Sequence, residues 1–453
     1  MRIGIIGWGV EGQSAYRYFG PEHDYLIVNE QPSDDFPPQS DKLKVQFLAS
    51  ARPPGLTGNA DDLSYLDGIA DCDKIIYSVT AAKNLQKLFG PDDDFWHKAQ
   101  TVQDIFFADV KSHNIIGVTG TKGKGTTSTL IAKMLEAAGK KVYLGGNIGH
   151  SVLDFVSSVT PDDWVVLELS NFQLYRLKNS PHIGVCLMIT PEHMDWHTDV
   201  SEYVEAKSNL FRHQKSDDIA IYLAGNQYSE EIAGYSKGVK VPYFASPGAL
   251  VREDGMIVVG DPETEIIKTG GLKLIGHHNW QNACAAITAC WQVAQDVGAI
   301  RGVLGTFTGL EHRLEFVREL DYVKYYDDSF GTTPDTTVVA LHAFAQPVVL
   351  ILGGHDKGIP FDILTSEIAG RDRVRHVIAI GDTGPGIAAM LRDKGYKAIT
   401  EGLSDMPAIV AEARARAQAG DVVLLSTGCS SFGLFTDYKD RGDQFKAAVA
   451  KLS

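Results

Sequence analysis

The stretch IIGVTGTKGKGTTSTL at residues 115–130 leaves few folds open to this chain. Four apolar residues at 115–118 read as a buried strand, the turn Gly120-Thr121-Lys122-Gly123-Lys124 follows, and residues 126–135 take up helical periodicity. A strand that passes through a glycine-rich turn into a helix N-terminus makes a phosphate cradle. Without Cβ atoms the turn can bring its N–H groups close to anionic oxygens. The helix end adds positive partial charge, and Lys124 has the reach of terminal phosphates. ATP or GTP is the expected ligand. The loop departs from the usual pattern in two places: no glycine stands five positions before Gly123, and Gly125 follows the lysine where a Ser or Thr normally holds Mg²⁺. Thr126 or Thr127 then has to supply that hydroxyl.

The N-terminal stretch reads as a second nucleotide-type unit. RIGIIG is an apolar strand, Gly7-Trp8-Gly9-Val10-Glu11-Gly12 is a G-x-G-x-x-G turn, and YLIVNE ends a second strand at Glu30, at the spacing that lets a carboxylate meet a ribose hydroxyl. The same geometry serves any nucleotide diphosphate, so it fixes a Rossmann-like unit more firmly than its ligand. KIIYSV at 74–79 is expected to bring Ser78 and Thr80 to the same sheet edge, whereas 31–62, rich in Pro, Asp, Ser and Gly, reads as loops with little regular structure.

A chain of 453 residues exceeds the span of one hydrophobic core and suggests about three domains. The formal charge of −15 disfavours nucleic acid as a partner. Five unclustered cysteines predict neither a disulfide framework nor a zinc site, and fit a reducing cytoplasm. The N-terminus runs straight into a strand and no stretch is long and apolar enough to span a bilayer, so the expectation is a cytoplasmic protein with no membrane partner.

Downstream of the cradle, Asn147 sits in a glycine turn and Glu168 ends the strand of DWVVLELSNFQL. Ligands gather at the carboxyl ends of parallel strands and Mg²⁺ prefers oxygen donors, so a carboxylate there is a candidate metal ligand. His193, Asp195 and His197 crowd one loop, a weak zinc signal without cysteine partners, and Lys207 falls in an amphipathic helix. Residues 218–270 read as short strands and turns. Asn279 and Asn282 open a strongly periodic helix, and GLEHRLEFV at 309–317 reads as a hinge. From 323 the strand–loop–helix alternation restarts, each strand ending in Gly, Asp, Ser or Thr, with Asp328, Lys357, Ser431 and Arg441 as candidates for a second polar site. The predicted class is α/β with three domains: an N-terminal Rossmann-like domain at 1–105, a central P-loop ATPase-type domain at 106–312 and a C-terminal Rossmann-like domain at 313–453.

The order of these motifs resembles the Mur ligase family, most closely its D-glutamate-adding type, over nearly the whole chain. TGTKGKGTT is similar to the family's ATP loop, LELSNFQL to its Glu-bearing strand, TPEHMDWH with Lys207 to its metal and carbamoyl-lysine segment, and GHHNWQN and GLEHRLE to its adenine- and hinge-side motifs. DDSFGTT, GGHDKG, LSTGCSS and DYKDRG resemble its amino-acid segments. The resemblance implies a monomeric ATP-dependent amide ligase that joins D-glutamate to UDP-N-acetylmuramoyl-L-alanine through an acyl phosphate in peptidoglycan precursor synthesis.

It implies Lys124, Glu168, His193 and Lys207 as catalytic residues. Two Mg²⁺ ions would be held by Thr126, Glu168, His193 and Lys207, the last as a carbamate. ATP would be met by Gly120, Thr121, Lys122, Gly123, Lys124, Gly125, Thr126, Asn282, Arg313 and Asp328, and the UDP-substrate by Val10, Glu11, Glu30, Ser78, Thr80 and Asn147. The amino acid would be met by Thr332, Lys357, Ser431 and Tyr438, and chemistry would require closure near 309–330. Phe330 stands where many relatives have lysine, and SVTAAKN at 78–84 replaces a Ser-Pro-Gly turn. The competing readings are a ligase for L-glutamate or another amino acid, a folate-extending relative, a homologue that binds nucleotide without turnover, and an NAD-dependent oxidoreductase. The last leaves the cradle and everything from 163 to 441 unexplained.

Overall fold

The computed structural model describes residues 1–453 apart from 34, 49–61, 195, 275, 357–358, 371 and 432. The chain forms two compact units, residues 1–272 with 277–306, and 273–276 with 307–453. The first unit contains two parallel sheets and a small antiparallel one, and the second a mostly parallel sheet, so the α/β, three-domain reading holds.

In the first sheet Arg2–Ile6 lies centrally, with Asp24–Asn29 and Leu43–Phe47 on one side and Lys74–Tyr77 and Ala99–Gln100 on the other, all parallel. The chain reverses its winding direction between Arg2–Ile6 and Lys74–Tyr77, the place where such sheets take ligands. Gly7, at φ 91°, and the helix Val10–Phe19 follow the central strand. A side chain at Gly12 would strike the Gly7 carbonyl, so this glycine lets the helix pack close to the strand. Within 31–62, read as loops with little regular structure, one short strand forms. Leu43–Phe47 is an edge strand, with Leu43 buried and Val45 half-buried; its brevity among Pro- and Asp-rich neighbours hid a period-two signal that burial of one face supplies.

In the central sheet the strands lie in the order Val239–Tyr243, Ile219–Leu223, Ile183–Cys186, Ile115–Thr119, Trp164–Glu168, Val142–Gly146, again all parallel. Buried on both faces, these strands read as the continuous apolar runs seen in the sequence. One apolar cluster runs from Ile3 and Ile5 of the first sheet to Val165 and Leu167 of the second, and Asp154 accepts from Ser14 and pairs with Arg17 across the same junction. That shared core is why two expected domains form one unit, and the helix Val102–Asp109 runs through position 105/106. A small antiparallel sheet, Leu250–Val251, Met256–Val259 and Thr264–Lys268, occupies part of 218–270, which also holds the helix Gln227–Gly234.

The second unit carries a six-stranded sheet in the order Glu315–Leu320, Val323–Asp327, Val422–Leu425, Val348–Gly353, Val374–Ile380, Ile399–Thr400. Only the first strand is antiparallel to its neighbour, joined by Asp321 and Tyr322 at φ 50° and 62°, the left-handed pair that a two-residue hairpin turn requires. Separate apolar clusters cover its two faces. Among the described residues no helix is long and apolar enough to cross a membrane.

Candidate active site

The central strand Ile115–Thr119 has Ile183–Cys186 on one side and Trp164–Glu168 on the other, so the loop that leaves it faces residues from both. Gly120, at φ 156°, is pressed against Leu187, and Gly123, at φ 88°, caps the helix Lys124–Ala137. A side chain at Gly123 would collide with Asn282, which lies in the helix His278–Trp291 and donates to Asn279 Oδ1 at 2.9 Å. The glycine thus lets the two segments meet. Lys124 folds back over the loop, its Nζ 3.1 Å from the carbonyls of Gly120 and Thr121. Thr126 is buried in the first turn of the helix, and the hydroxyls of Thr127, Ser128 and Thr129 have no hydrogen-bond partner among the described residues.

Glu168 ends its strand 6% exposed, and Asn147 Nδ2 donates to its Oε1 at 2.8 Å. The backbone joins the same two residues, Asn147 N–H to Glu168 O at 2.9 Å. Lys207, in the helix Val200–Arg212, is fully buried, with Nζ 3.1 Å from the Gly120 carbonyl and 4.8 Å from the centre of the Tyr203 ring. Burial pushes its ammonium down to about 7 and Lys124 adds to the push, while Cys186, Glu192 and Glu168 pull the other way. Near neutral pH a sizeable fraction of this amine is therefore neutral. Lys124, Glu168 and Lys207, far apart in sequence, share one electrostatic neighbourhood.

The loop 190–199 is stitched to the cradle by Thr121 Oγ1, which donates to Thr190 O and accepts from Thr190 N–H, both at 2.9 Å. His193, at φ 60°, packs on Phe172 and stays 40% exposed at its side chain. His197 is turned inward. Its Nε2 lies 2.8 Å from Asn171 Nδ2, and its Nδ1 stands 3.4 Å from Glu202 without hydrogen-bond geometry. Asp195 lies outside the described residues.

Beside the first sheet, Ser78 N–H donates to Ile6 O and Ser78 Oγ lies 3.1 Å from Thr80 Oγ1, at the end of the strand next to Gly7. Val10 is exposed at the start of its helix and Glu30 directly follows the strand Asp24–Asn29. Glu11, however, is engaged internally: its Oε1 accepts from Gln103 at 2.9 Å and Gln173 at 3.0 Å, tying the glycine turn to the central sheet.

In the second unit the polar residues gather at the carboxyl ends of Val323–Asp327 and Val422–Leu425. Asp328 accepts from Ser426 Oγ at 2.8 Å and from Leu314 N–H at 3.1 Å, and its burial raises its carboxyl to about 7. The Arg313 guanidinium lies 4.7 Å over the Phe330 ring, whose edge meets Tyr438. Arg441 is wholly buried and donates to Ser329 Oγ, Ser329 O and Cys429 O. Ser431 is buried in the loop after Val422–Leu425, Thr332 precedes the helix Pro334–His342, and Lys357 lies outside the described residues.

Residues 118–290 match the Mur ligase middle domain and 312–429 the Mur ligase, glutamate ligase domain. The chain belongs to the Mur ligase family. A UDP-N-acetylmuramoylalanine--D-glutamate ligase of Symbiobacterium thermophilum is 37% identical across 100% of this chain and 98% of its own length. The ligase of the same name from Acetivibrio thermocellus is 40% identical over 77% of this chain and 76% of its own. Among solved structures, Thermotoga maritima MurF ligase in complex with ADP aligns with TM-score 0.57 at 16% identity, covering 99% of this chain and 95% of that one. The UDP-N-acetylmuramate-alanine ligase MurC of the same organism aligns at 0.56 and 16%, covering 99% of each.

This Mur ligase also contains polar contacts that its sequence did not reveal. Lys83 pairs with Glu202 beside the rings of Tyr175 and Trp196; burial pushes the Glu202 carboxyl up, but Lys83, Thr198 and Tyr175 outweigh it and hold it at about 2. The pair joins the 78–84 segment to the helix that carries Lys207. His312 Nδ1 lies 2.7 Å from Asp327, a hydrogen bond that raises the imidazole above its ordinary value against the opposing effect of burial. Neither pair has local spacing that could have given it away.

Proposed function

We propose that this chain is an ATP-dependent amide ligase that joins D-glutamate to UDP-N-acetylmuramoyl-L-alanine in cytoplasmic peptidoglycan precursor synthesis. The observation that carries the reading is full-length similarity, at 37% identity, to a ligase so named. The cradle chemistry supports it. A carboxylate oxygen of the acyl substrate attacks the γ-phosphorus of ATP, ADP leaves, and an acyl phosphate forms. The amine of D-glutamate then attacks the acyl carbon and loses a proton, and phosphate departs with the C–O bonding pair.

Lys124 and the N–H groups of 120–126 hold the phosphates and stabilise charge on the transferring group. Lys124 Nζ lies over the loop, 3.1 Å from the carbonyls of Gly120 and Thr121, where it can meet phosphate oxygens. The donors around the cradle suit a hard cation: the Glu168 carboxylate, the Thr126 hydroxyl and the His193 imidazole. Lys207 would join them as a carbamate, because an amine pushed down to about 7 can attack CO₂, form an N–C bond and release a proton. Mg²⁺ held by these residues would supply neutralisation of phosphate charge. Asn147 orients Glu168 and faces the acyl substrate, and Asn282 borders the nucleotide.

We assign UDP-substrate binding to residues 1–105, with Val10, Glu30, Ser78 and Thr80 at the strand ends. Glu11 acts there through its two glutamine contacts. The nucleotide falls to 106–312, assisted by Arg313 and Asp328, and the amino acid to 313–453, with Thr332, Lys357, Ser431 and Tyr438. The test is phosphate release from ATP with UDP-N-acetylmuramoyl-L-alanine and D-glutamate, L-glutamate or no amino acid. Release only with D-glutamate is expected. Release only with L-glutamate would reassign the specificity, and silence with all three would overturn the reading.

A further inference from the structure

The central sheet has a second polar edge, opposite the phosphate cradle. Three adjacent parallel strands, Ile219–Leu223, Ile183–Cys186 and Ile115–Thr119, begin there; Asp218 and His182 immediately precede the first two, and His113 lies two positions before the third. Parallel pairing puts these three in a row although they are far apart in sequence.

We propose that His113, His182 and Asp218 form a binding site for a divalent transition-metal ion of the Zn²⁺, Co²⁺ or Ni²⁺ kind, separate from the cation site at the cradle. One ligand atom from each residue falls within 4.8 Å of the others. His182 Nδ1 is 2.8 Å from Asp218 Oδ1, and His113 Nε2 is 3.9 Å from the same oxygen. Tetrahedral coordination at bond lengths of about 2.0–2.1 Å places neighbouring ligand atoms about 3.3 Å apart, between these two distances. The imidazole rings lie 4.8 Å apart at 41°, so a small rotation of the exposed His113 completes the set, with water in the fourth position.

The carboxylate is fixed in place. Asp218 Oδ2 accepts from Lys215 N–H at 2.6 Å, its own N–H donates to Lys215 O, and its carbonyl accepts from Val239 N–H. Oδ1 is thereby turned towards both histidines. His182 is fixed through its carbonyl, which accepts from Ile219 N–H at 2.8 Å. Two imidazoles beside a single carboxylate favour a borderline metal, whereas the cradle set, one imidazole among oxygen donors, leaves room for Mg²⁺. Coordination replaces the hydrogen bond between His182 Nδ1 and Asp218 Oδ1. The strand Ile115–Thr119 separates this edge from the cradle by roughly 16 Å, so the ion braces three strand starts and takes no part in phosphoryl transfer.

The test is titration of the full-length protein with Co²⁺ in excess Mg²⁺, read by visible absorption of the bound ion, for the wild type and for His113→Ala. His113 is 69% exposed at its side chain, so its removal leaves the fold intact. The expected result is one Co²⁺ fewer, or affinity at least about tenfold weaker, in His113→Ala, with Mg²⁺-dependent activity unchanged in both. Zn²⁺ should raise the melting temperature of the wild type and not of the variant. Equal uptake and equal thermal response in the two proteins would overturn the proposal.

Discussion

Lys207 in the first unit and Arg441 in the second are both long cations removed completely from water, and their surroundings treat them in opposite ways. Arg441 finds Ser329 Oγ, Ser329 O and Cys429 O at 2.8, 2.7 and 3.2 Å, so its charge is met by a ring of fixed acceptors. Lys207 has one good acceptor, the Gly120 carbonyl, a longer contact of 3.4 Å to Thr119, and another lysine nearby. A buried charge ringed by fixed acceptors holds a structure together. One left short of partners is ready to change its chemical form.

The largest effect is expected at the cradle. Lys124→Ala is expected to lower ligase turnover by about 10³-fold, since a preorganised positive contact to the transferring phosphoryl group is lost. UDP-substrate binding, measured by calorimetry, should be nearly unchanged; loss of both together would contradict the assignment of the two sites to different sheets. Arg441→Met keeps side-chain volume but strands three buried acceptors. It should destabilise the protein by about 3–5 kcal/mol in a denaturant titration. A variant as stable as the wild type would remove the structural half of the contrast.

Asp328 sharpens the contrast because it sits among satisfied partners and is still pushed up to about 7 by burial. Its folded value lies above the unfolded one, so the native state holds the proton longer. The stability this group contributes is full below about 4 and lost as pH rises towards 7. Asp328→Asn should remove that slope, so that the difference in stability between variant and wild type moves in the variant's favour by up to about 4 kcal/mol between pH 4 and 8. The smallest effect is expected of Ser426→Ala, which deletes one hydrogen bond to Asp328: about 1 kcal/mol, read as a modest fall in melting temperature.

The cradle was legible in the sequence because strand, turn and helix follow one another within 115–130, and the chemistry of glycine and lysine is local. Glu168, Asn147 and Asn282 could be singled out, but that Asn147 holds Glu168 and that Asn282 abuts Gly123 depends on sheet order. The strand at Leu43–Phe47 was missed because one edge strand in a Pro-rich stretch carries too few residues to show its period. Glu11 could be singled out as a ligand contact, but that its Oε1 also joins Gln103 to Gln173 leaves no mark on local spacing. Arg441 could be picked out as polar and conspicuous, yet nothing in DYKDRG says that its guanidinium is buried against Ser329, more than a hundred positions earlier. Contacts made through tertiary pairing leave no mark on local spacing.

The most direct test concerns Lys207 itself. Its folded value of about 7 lies below that of a lysine in water, so the unfolded state binds more protons between the two, and stability rises with pH over that window. Lys207→Met should abolish activity and flatten this rise. The decisive measurement is ¹³C NMR of the protein in ¹³C-bicarbonate, with activity followed through removal and return of CO₂. A carbamate resonance is expected in the wild type and not in Lys207→Met, with activity lost on CO₂ removal and regained with bicarbonate. Full activity without CO₂, and no resonance that depends on Lys207, would contradict a carbamate at this residue.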